Sequence, residues 1–219
     1  MKPLVEKELE VLISRYPSLN QCRVSIKKAY ECMADSYKHG GKLLIAGNGG
    51  SAADAEHIVG ELMKGFKKAR NIDKELEEKI LLVNEEMGQI LVNKLQKTLP
   101  AIALDGHVAL STAYMNDCEP LLCFAQQING YGRNGDVFLA ISTSGTSKNI
   151  LYAAVTAKAK GLKVIGLTGA SESDLESLCD ICIKVPEIET YVIQELHLPI
   201  YHTLCLMLEE EFFGGESIA

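Results

Sequence analysis

Short apolar runs, separated by longer stretches of helical period, set the plan of this chain. Leu43-Leu44-Ile45-Ala46, 101–104, 136–141, 164–167 and 181–185 are each almost wholly apolar, as strands buried on both faces must be. Between them the spacing predicts helices over 108–114, closing on Asn116-Asp117, over 120–129 and over 148–160, with Gly161 ending the last. Strands alternating with helices imply parallel β-α-β units with right-handed crossovers. Two helices, 5–16 and 19–37, precede the first strand; Val5, Leu9, Leu12 and Ile13 line the first, and Pro17-Ser18 parts them. One long helix, 189–213, closes the chain, and Pro199 inside it predicts a kink near Glu195. The expected fold is therefore α/β, a parallel-sheet α-β-α sandwich forming one domain over 1–219, with N-terminal helices over 1–39.

The segment of about 67–97 departs from this rhythm. Asp73 to Gln96 looks like one long helix or two, with Ile80, Leu81, Met87, Ile90, Leu91 and Leu95 among charges. It reads as a helical insertion that packs on the body or on a partner subunit.

Composition narrows the function. With 219 residues and 47% hydrophobic side chains, a sizeable core is available. A net charge of −7 and a pI near 5.3 argue against nonspecific nucleic-acid or anionic-membrane partners. No apolar run reaches membrane-spanning length and Met1-Lys2-Pro3 does not open a signal peptide, so a cytoplasmic protein is expected. The seven cysteines are odd in number and scattered, which suits reduced, mostly buried thiols. Cys179 and Cys182 form a C-x-x-C at the start of the strand near Ile181, where core packing is the expected role.

The chemistry gathers at two strand ends. After Leu43–Ala46 come Gly47-Asn48-Gly49-Gly50-Ser51, three glycines in five residues. Helix-favouring residues follow, with Ser51 as the expected N-cap and Asp54 as its capping carboxylate. Strand, glycine loop and helix N-terminus form a ready anion site. His57 and Glu61, four apart, share a face of that helix. After 136–141 come Ser142, Thr143, Ser144, Gly145, Thr146 and Ser147, five hydroxyls in six residues, suited to surround a phosphate dianion. In parallel sheets ligands bind beyond the carboxyl ends of the strands, so the two loops are expected to meet at one site.

Together with the terminal Gln194-Glu195-Leu196-His197, these stretches resemble a sugar isomerase (SIS) domain, a flavodoxin-like fold, and within it the phosphoheptose isomerases. That resemblance implies that Ser51, Ser142, Thr143, Ser144 and Ser147 hold a sugar phosphate alongside Gly49 and Gly50. It implies that Asn48 and Asp117 contact substrate hydroxyls, and that Glu61 and His202 are the acid/base pair. His57, Glu61, Gln194 and His202 match positions that bind zinc in some members, so one Zn2+ per site is expected and no organic cofactor. Members are usually homotetramers. The implied reaction takes sedoheptulose 7-phosphate to D-glycero-D-manno-heptose 7-phosphate through an enediol, a proton shift that needs a base, an acid and a carbonyl polariser. Some relatives are instead non-catalytic, binding sugar phosphates for regulation or associating with the replication initiator. Convergence of His57, Glu61, Gln194 and His202 would separate the two, since a binding module has no need of that set. The chain departs from the family in Met63-Lys64-Gly65-Phe66, which stands where the family commonly has a basic residue on a Gly-Arg-type turn, and in Val192, where Arg is frequent.

Overall fold

Residues 2–215 are described by the structure, a computed structural model. Five strands, β1 (Leu43–Ala46), β2 (Ala101–Ala103), β3 (Val137–Ile141), β4 (Lys163–Thr168) and β5 (Ile181–Lys184), pair wholly in parallel in the order β2-β1-β3-β4-β5. Register is set by Leu43 opposite both Ala101 and Val137, and by Ile165 opposite Ile181. Strand order reverses between β1 and β3, and such a switch point opens a crevice at the strand carboxyl ends.

Alternation along the strands divides the core. Leu43, Ile45, Val137, Leu139, Ile165 and Ile183 face one layer; Leu44, Ala46, Phe138, Ala140 and Val164 face the other. The first layer is built from α1 (Pro3–Arg15), α2 (Arg23–Lys38), α3 (Gly50–Met63) and the terminal helix, α10 (Thr190–Phe213). The second takes α7 (Cys123–Tyr131) and α8 (Lys148–Ala159). Burial on both sides explains why the strands are apolar throughout.

Two segments are organised differently from the sequence expectation, and a third takes the second of its two expected forms. Pro17 opens a tight 3-10 turn over Pro17–Cys22 that buries Leu19 and Cys22, so α2 starts at Arg23 and not at 19. The segment 120–129 likewise divides into a 3-10 turn, Pro120–Leu122, and α7. The insertion holds two helices, α4 (Lys74–Val83) and α5 (Glu85–Lys94), hinged at Asn84, whose side chain accepts a hydrogen bond from the Met87 amide. α4 and α5 pack on each other; α4 buries no residue, α5 only Gly88, and Leu82 and Val83 stand 86% and 87% exposed. α10 runs on through Pro199, whose carbonyl accepts from the Thr203 hydroxyl at 2.8 Å.

Candidate active site

The glycine loop works through its backbone. Gly49 holds φ at +57°, the left-handed region that admits glycine most readily, and turns the chain from β1 into α3. Gly49, not Ser51, occupies the N-cap position, and no side chain caps the helix there. Ser51 lies inside the first turn, and Asp54 turns away to another partner, because the glycine turn starts the helix one residue before Ser51. A Cβ on Gly50 would lie 2.6 Å from Gln194 Nε2, so a side chain there would push the Gln194 amide aside.

The serine loop after β3 is braced from within. The Ser142 hydroxyl oxygen accepts the Gly145 amide at 3.1 Å, and the Ser142 and Ser147 oxygens are 3.4 Å apart. Asn48 and Asn149 exchange side-chain amide hydrogen bonds at 3.0 and 2.8 Å, tying the two loops together across the switch point. Asn149 carried no sequence signal beyond following a loop; its role comes from a partner about a hundred residues away.

Between the loops lies a cavity of about 230 Å³. The glycine loop, Ser51, Ser142, Thr143, Ser147, Thr190 and Gln194 line it, and no lysine or arginine does. The N-termini of α3, α8 and α10 all reach this cavity or its rim. Helix N-termini carry partial positive charge and free N–H groups, so a dianion is stabilised here without a formal cation. Ser144 stays outside the lining, exposed, its oxygen accepting from Thr146.

Two turns along α3 stands a second cluster. His57 Nε2 lies 3.4 Å from Glu61 Oε1 and 3.4 Å from His202 Nε2, brought in by α10. Glu61 Oε2 pairs with Lys64 at 3.1 Å. The Glu61 side chain is 12% exposed and that of His57 42%, so the carboxylate is largely shielded while the imidazole reaches solvent. Burial, with the neighbouring His57, holds His202 below the ordinary imidazole value, leaving it neutral near pH 7. From Ser51 to His57 the helical rise is about 9 Å, the reach of a sugar chain of several carbons.

A fully buried ion pair fixes this cluster from behind, and sequence reading missed it. Arg70, 1% exposed, meets Glu209 of α10 at 2.8 Å and stacks on Phe213 with 4.6 Å to the ring centroid. The same guanidinium donates to the carbonyls of Leu62 and Glu61 at 2.7 and 3.1 Å, closing the C-terminus of α3. Glu209 also accepts the amides of Phe66 and Lys67, each at 2.8 Å. These amide bonds with the Arg70 charge hold its carboxyl below the usual range against the pull of burial. Arg70 follows Lys64, Lys67 and Lys68 in the sequence, and only its buried partner, 139 residues on, reveals the clamp.

The expected set is therefore partly gathered. His57, Glu61 and His202 converge, and Gln194 lies at the anion cavity. Asp117 ends α6 (Val108–Asp117) in an exposed position, accepting from Asn116 at 2.8 Å and outside the cavity lining. His197 is a core residue: fully buried, its Nε2 3.4 Å from the Thr168 carbonyl, and pushed down to about 4 by burial. Among the described residues, no three His, Cys, Asp or Glu side chains already close on a common point. The fit to zinc rests instead on the two 3.4 Å edges at His57. Ligands about 2.0–2.1 Å from zinc at tetrahedral angles lie about 3.4 Å from one another, and imidazole and carboxylate are its ordinary donors.

Comparison with known proteins agrees with this geometry. The SIS domain family model matches residues 16–89 and 82–169. Phosphoheptose isomerase 2 of Campylobacter jejuni is 42% identical over 189 residues, 86% of this chain and 81% of that protein. The phosphoheptose isomerase of Nitratiruptor sp. is 37% identical over 95% of this chain and 98% of its own. Among solved structures, a phosphoheptose isomerase from Francisella tularensis superposes with TM-score 0.73 at 32% identity, covering 96% of this chain and 100% of that one. A backbone-built anion cavity at the switch point, an imidazole–carboxylate cluster two turns beyond it and these likenesses lead to one assignment: the chain belongs to the SIS-domain family, among the phosphoheptose isomerases.

Proposed function

We propose that this enzyme interconverts sedoheptulose 7-phosphate and D-glycero-D-manno-heptose 7-phosphate. The observation that carries the reading is the placing of an N–H-rich anion cavity, lined by no lysine or arginine among the described residues, two helical turns from the His57–Glu61–His202 cluster. The phosphate sits among Ser51, Ser142, Thr143, Ser147 and the three helix N-termini, with Ser144 at the rim. Asn48 faces the first sugar hydroxyls. Glu61 takes a proton from C1 of the ketose as His202 delivers one to the C2 oxygen, giving the enediol. Removal of the O1 proton and return of a proton to C2 complete the aldose, so protons balance over the cycle.

His57, Glu61, Gln194 and His202 are the residues that would hold Zn2+. Bound there, zinc supplies Lewis-acid polarisation of the carbonyl oxygen. Glu61 presents Oε1 to His57 at 3.4 Å and Oε2 to Lys64 at 3.1 Å, so Oε1, with the longer contact, is the oxygen placed for proton transfer. Three of the four residues, His57, Glu61 and His202, meet while Gln194 stays at the anion cavity, and the likeness to phosphoheptose isomerases adds the remaining support for an enzyme over a pure phosphosugar-binding module. No helix among the described residues is long and apolar enough to cross a membrane, consistent with action in the cytoplasm. A homotetramer is the proposed assembly, and the exposed apolar side chains of α4 and α5 are surface that neighbouring subunits would cover.

The test is turnover of sedoheptulose 7-phosphate by purified protein, with chelator and with added zinc. Production of the aldose, lost with chelator and restored by zinc, supports both reaction and metal. Turnover indifferent to chelator removes the metal. A folded protein that binds the sugar phosphate and never turns it over sinks the isomerase reading.

A further inference from the structure

Tyr201 is 1% exposed, and its hydroxyl lies between two groups: 3.1 Å from Asp54 Oδ1 and 3.1 Å from His57 Nδ1. A phenol has one proton to donate, and an ionised carboxylate can only accept. The Tyr201 proton therefore goes to Asp54, and the phenol oxygen is left as an acceptor facing Nδ1. His57 Nδ1 then donates to it at 3.1 Å, the shorter of the imidazole's contacts, Nε2 meeting the Glu61 carboxylate only at 3.4 Å. A neutral imidazole has one N–H, so Nε2 is left with a lone pair. That atom is the one 3.4 Å from Glu61 Oε1 and 3.4 Å from His202 Nε2. The rings of His57 and Tyr201 meet edge to face at 5.5 Å, which fixes the imidazole plane as well as its tautomer.

We propose that Asp54 and Tyr201 are positioning residues: they hold His57 as the Nδ1–H tautomer and aim the bare Nε2 into the reaction centre. The lone pair serves the site in either use, as a ligand to a cation or as the acceptor of a substrate hydroxyl proton. An outer partner that fixes the tautomer of a site histidine commonly matters roughly 10–100-fold in metal affinity or activity. Asp54 itself bears a cost consistent with a dedicated role, since its Oδ2 is buried with no hydrogen-bond partner among the described residues. Its position on α3 and that of Tyr201 on α10 also make the relay a brace between the two helices that supply the cluster.

The relay is tested in the full-length protein, 15N-labelled, stripped with chelator and held at pH 8. Two-bond 1H–15N correlation spectra read the tautomer of His57, assigned by its loss in His57→Gln. The expected pattern is protonated Nδ1 and bare Nε2 in the wild type. In Tyr201→Phe it shifts toward Nε2–H, the form free imidazole side chains prefer in water. Zinc affinity of Tyr201→Phe, read by competition with a chromogenic chelator, is expected to fall roughly 10–100-fold. Nε2–H in the wild type, or an unchanged Nδ1–H signal in Tyr201→Phe, overturns the proposal; the wild-type spectrum decides even if the variant folds poorly. Although the relay rests on the isomerase reading for its purpose, the tautomer is read without turnover. Loss of heptose phosphate turnover with the expected tautomers would sink that reading and leave the relay standing.

Discussion

The two ends of α3 recognise their target by opposite means. The N-terminal end is made of backbone: a glycine at φ +57°, free amides, hydroxyls and no formal cation. The C-terminal end is made of side chains: His57 and Glu61, met by His202 and held by the Arg70–Glu209 pair. A phosphate is a constant of every substrate in this class, and a generic dipolar cradle suits it. The reacting carbons need groups that give and take protons at chosen atoms, which only positioned side chains provide. In the proposed reaction, binding and chemistry divide along one helix, about 9 Å apart by its rise.

Substitutions at the two ends should divide accordingly. The largest effect is expected from Glu61→Gln, which keeps the shape and removes the base: kcat falls about 10²–10⁴-fold while KM moves little, measured by steady-state turnover. Next is Glu209→Ala, which leaves the Arg70 guanidinium buried and unpaired; denaturant unfolding should show a loss of about 3–5 kcal/mol. Because the same guanidinium grips the Glu61 carbonyl, kcat should fall along with stability. A third effect is set by pH. His197 is held neutral at about 4 inside the fold, whereas unfolded it titrates near 6.5. The unfolded chain then binds the extra proton between those values, so stability is full above pH 6.5 and is lost as pH falls towards 4. The shift corresponds to about 3 kcal/mol, and His197→Gln should flatten that part of a melting-temperature profile. Smallest is Ser142→Ala at the other end of α3. Loss of one hydrogen bond to a charged group, about 1.5–3 kcal/mol, should raise KM with kcat nearly unchanged.

The same division explains what the sequence made legible. The anion cradle is local: strand, glycines and helix stand in one stretch, and five hydroxyls follow another buried strand. Both loops were readable, and the switch-point rule brought them together. The parallel sheet was equally plain, because strands buried on both faces leave continuous apolar runs. The reaction cluster was readable in its residues only through the family pattern, since a histidine on a helix carries no sign of its partner. What composition hid outright are the pairs fixed by distant chain: Asn48 with Asn149, Arg70 with Glu209, Asp54 with Tyr201. Each joins residues about a hundred or more positions apart, so no window of local periodicity contains both. Arg70 gave no local sign of its role, following Lys64, Lys67 and Lys68 yet buried to 1% exposure. Asp54 misled, since a capping carboxylate three residues after Ser51 fits the local pattern while the folded chain sends it to Tyr201.

The division along α3 is tested most directly by measuring substrate affinity and turnover on the same Glu61→Gln protein. Sedoheptulose 7-phosphate should bind it within about twofold of the wild-type Kd, through a cradle the substitution does not touch, while turnover drops by about 10²-fold or more. A variant that turns over at the wild-type rate, or one that loses turnover only because it no longer binds the sugar phosphate, would contradict the separation of binding from chemistry along this helix.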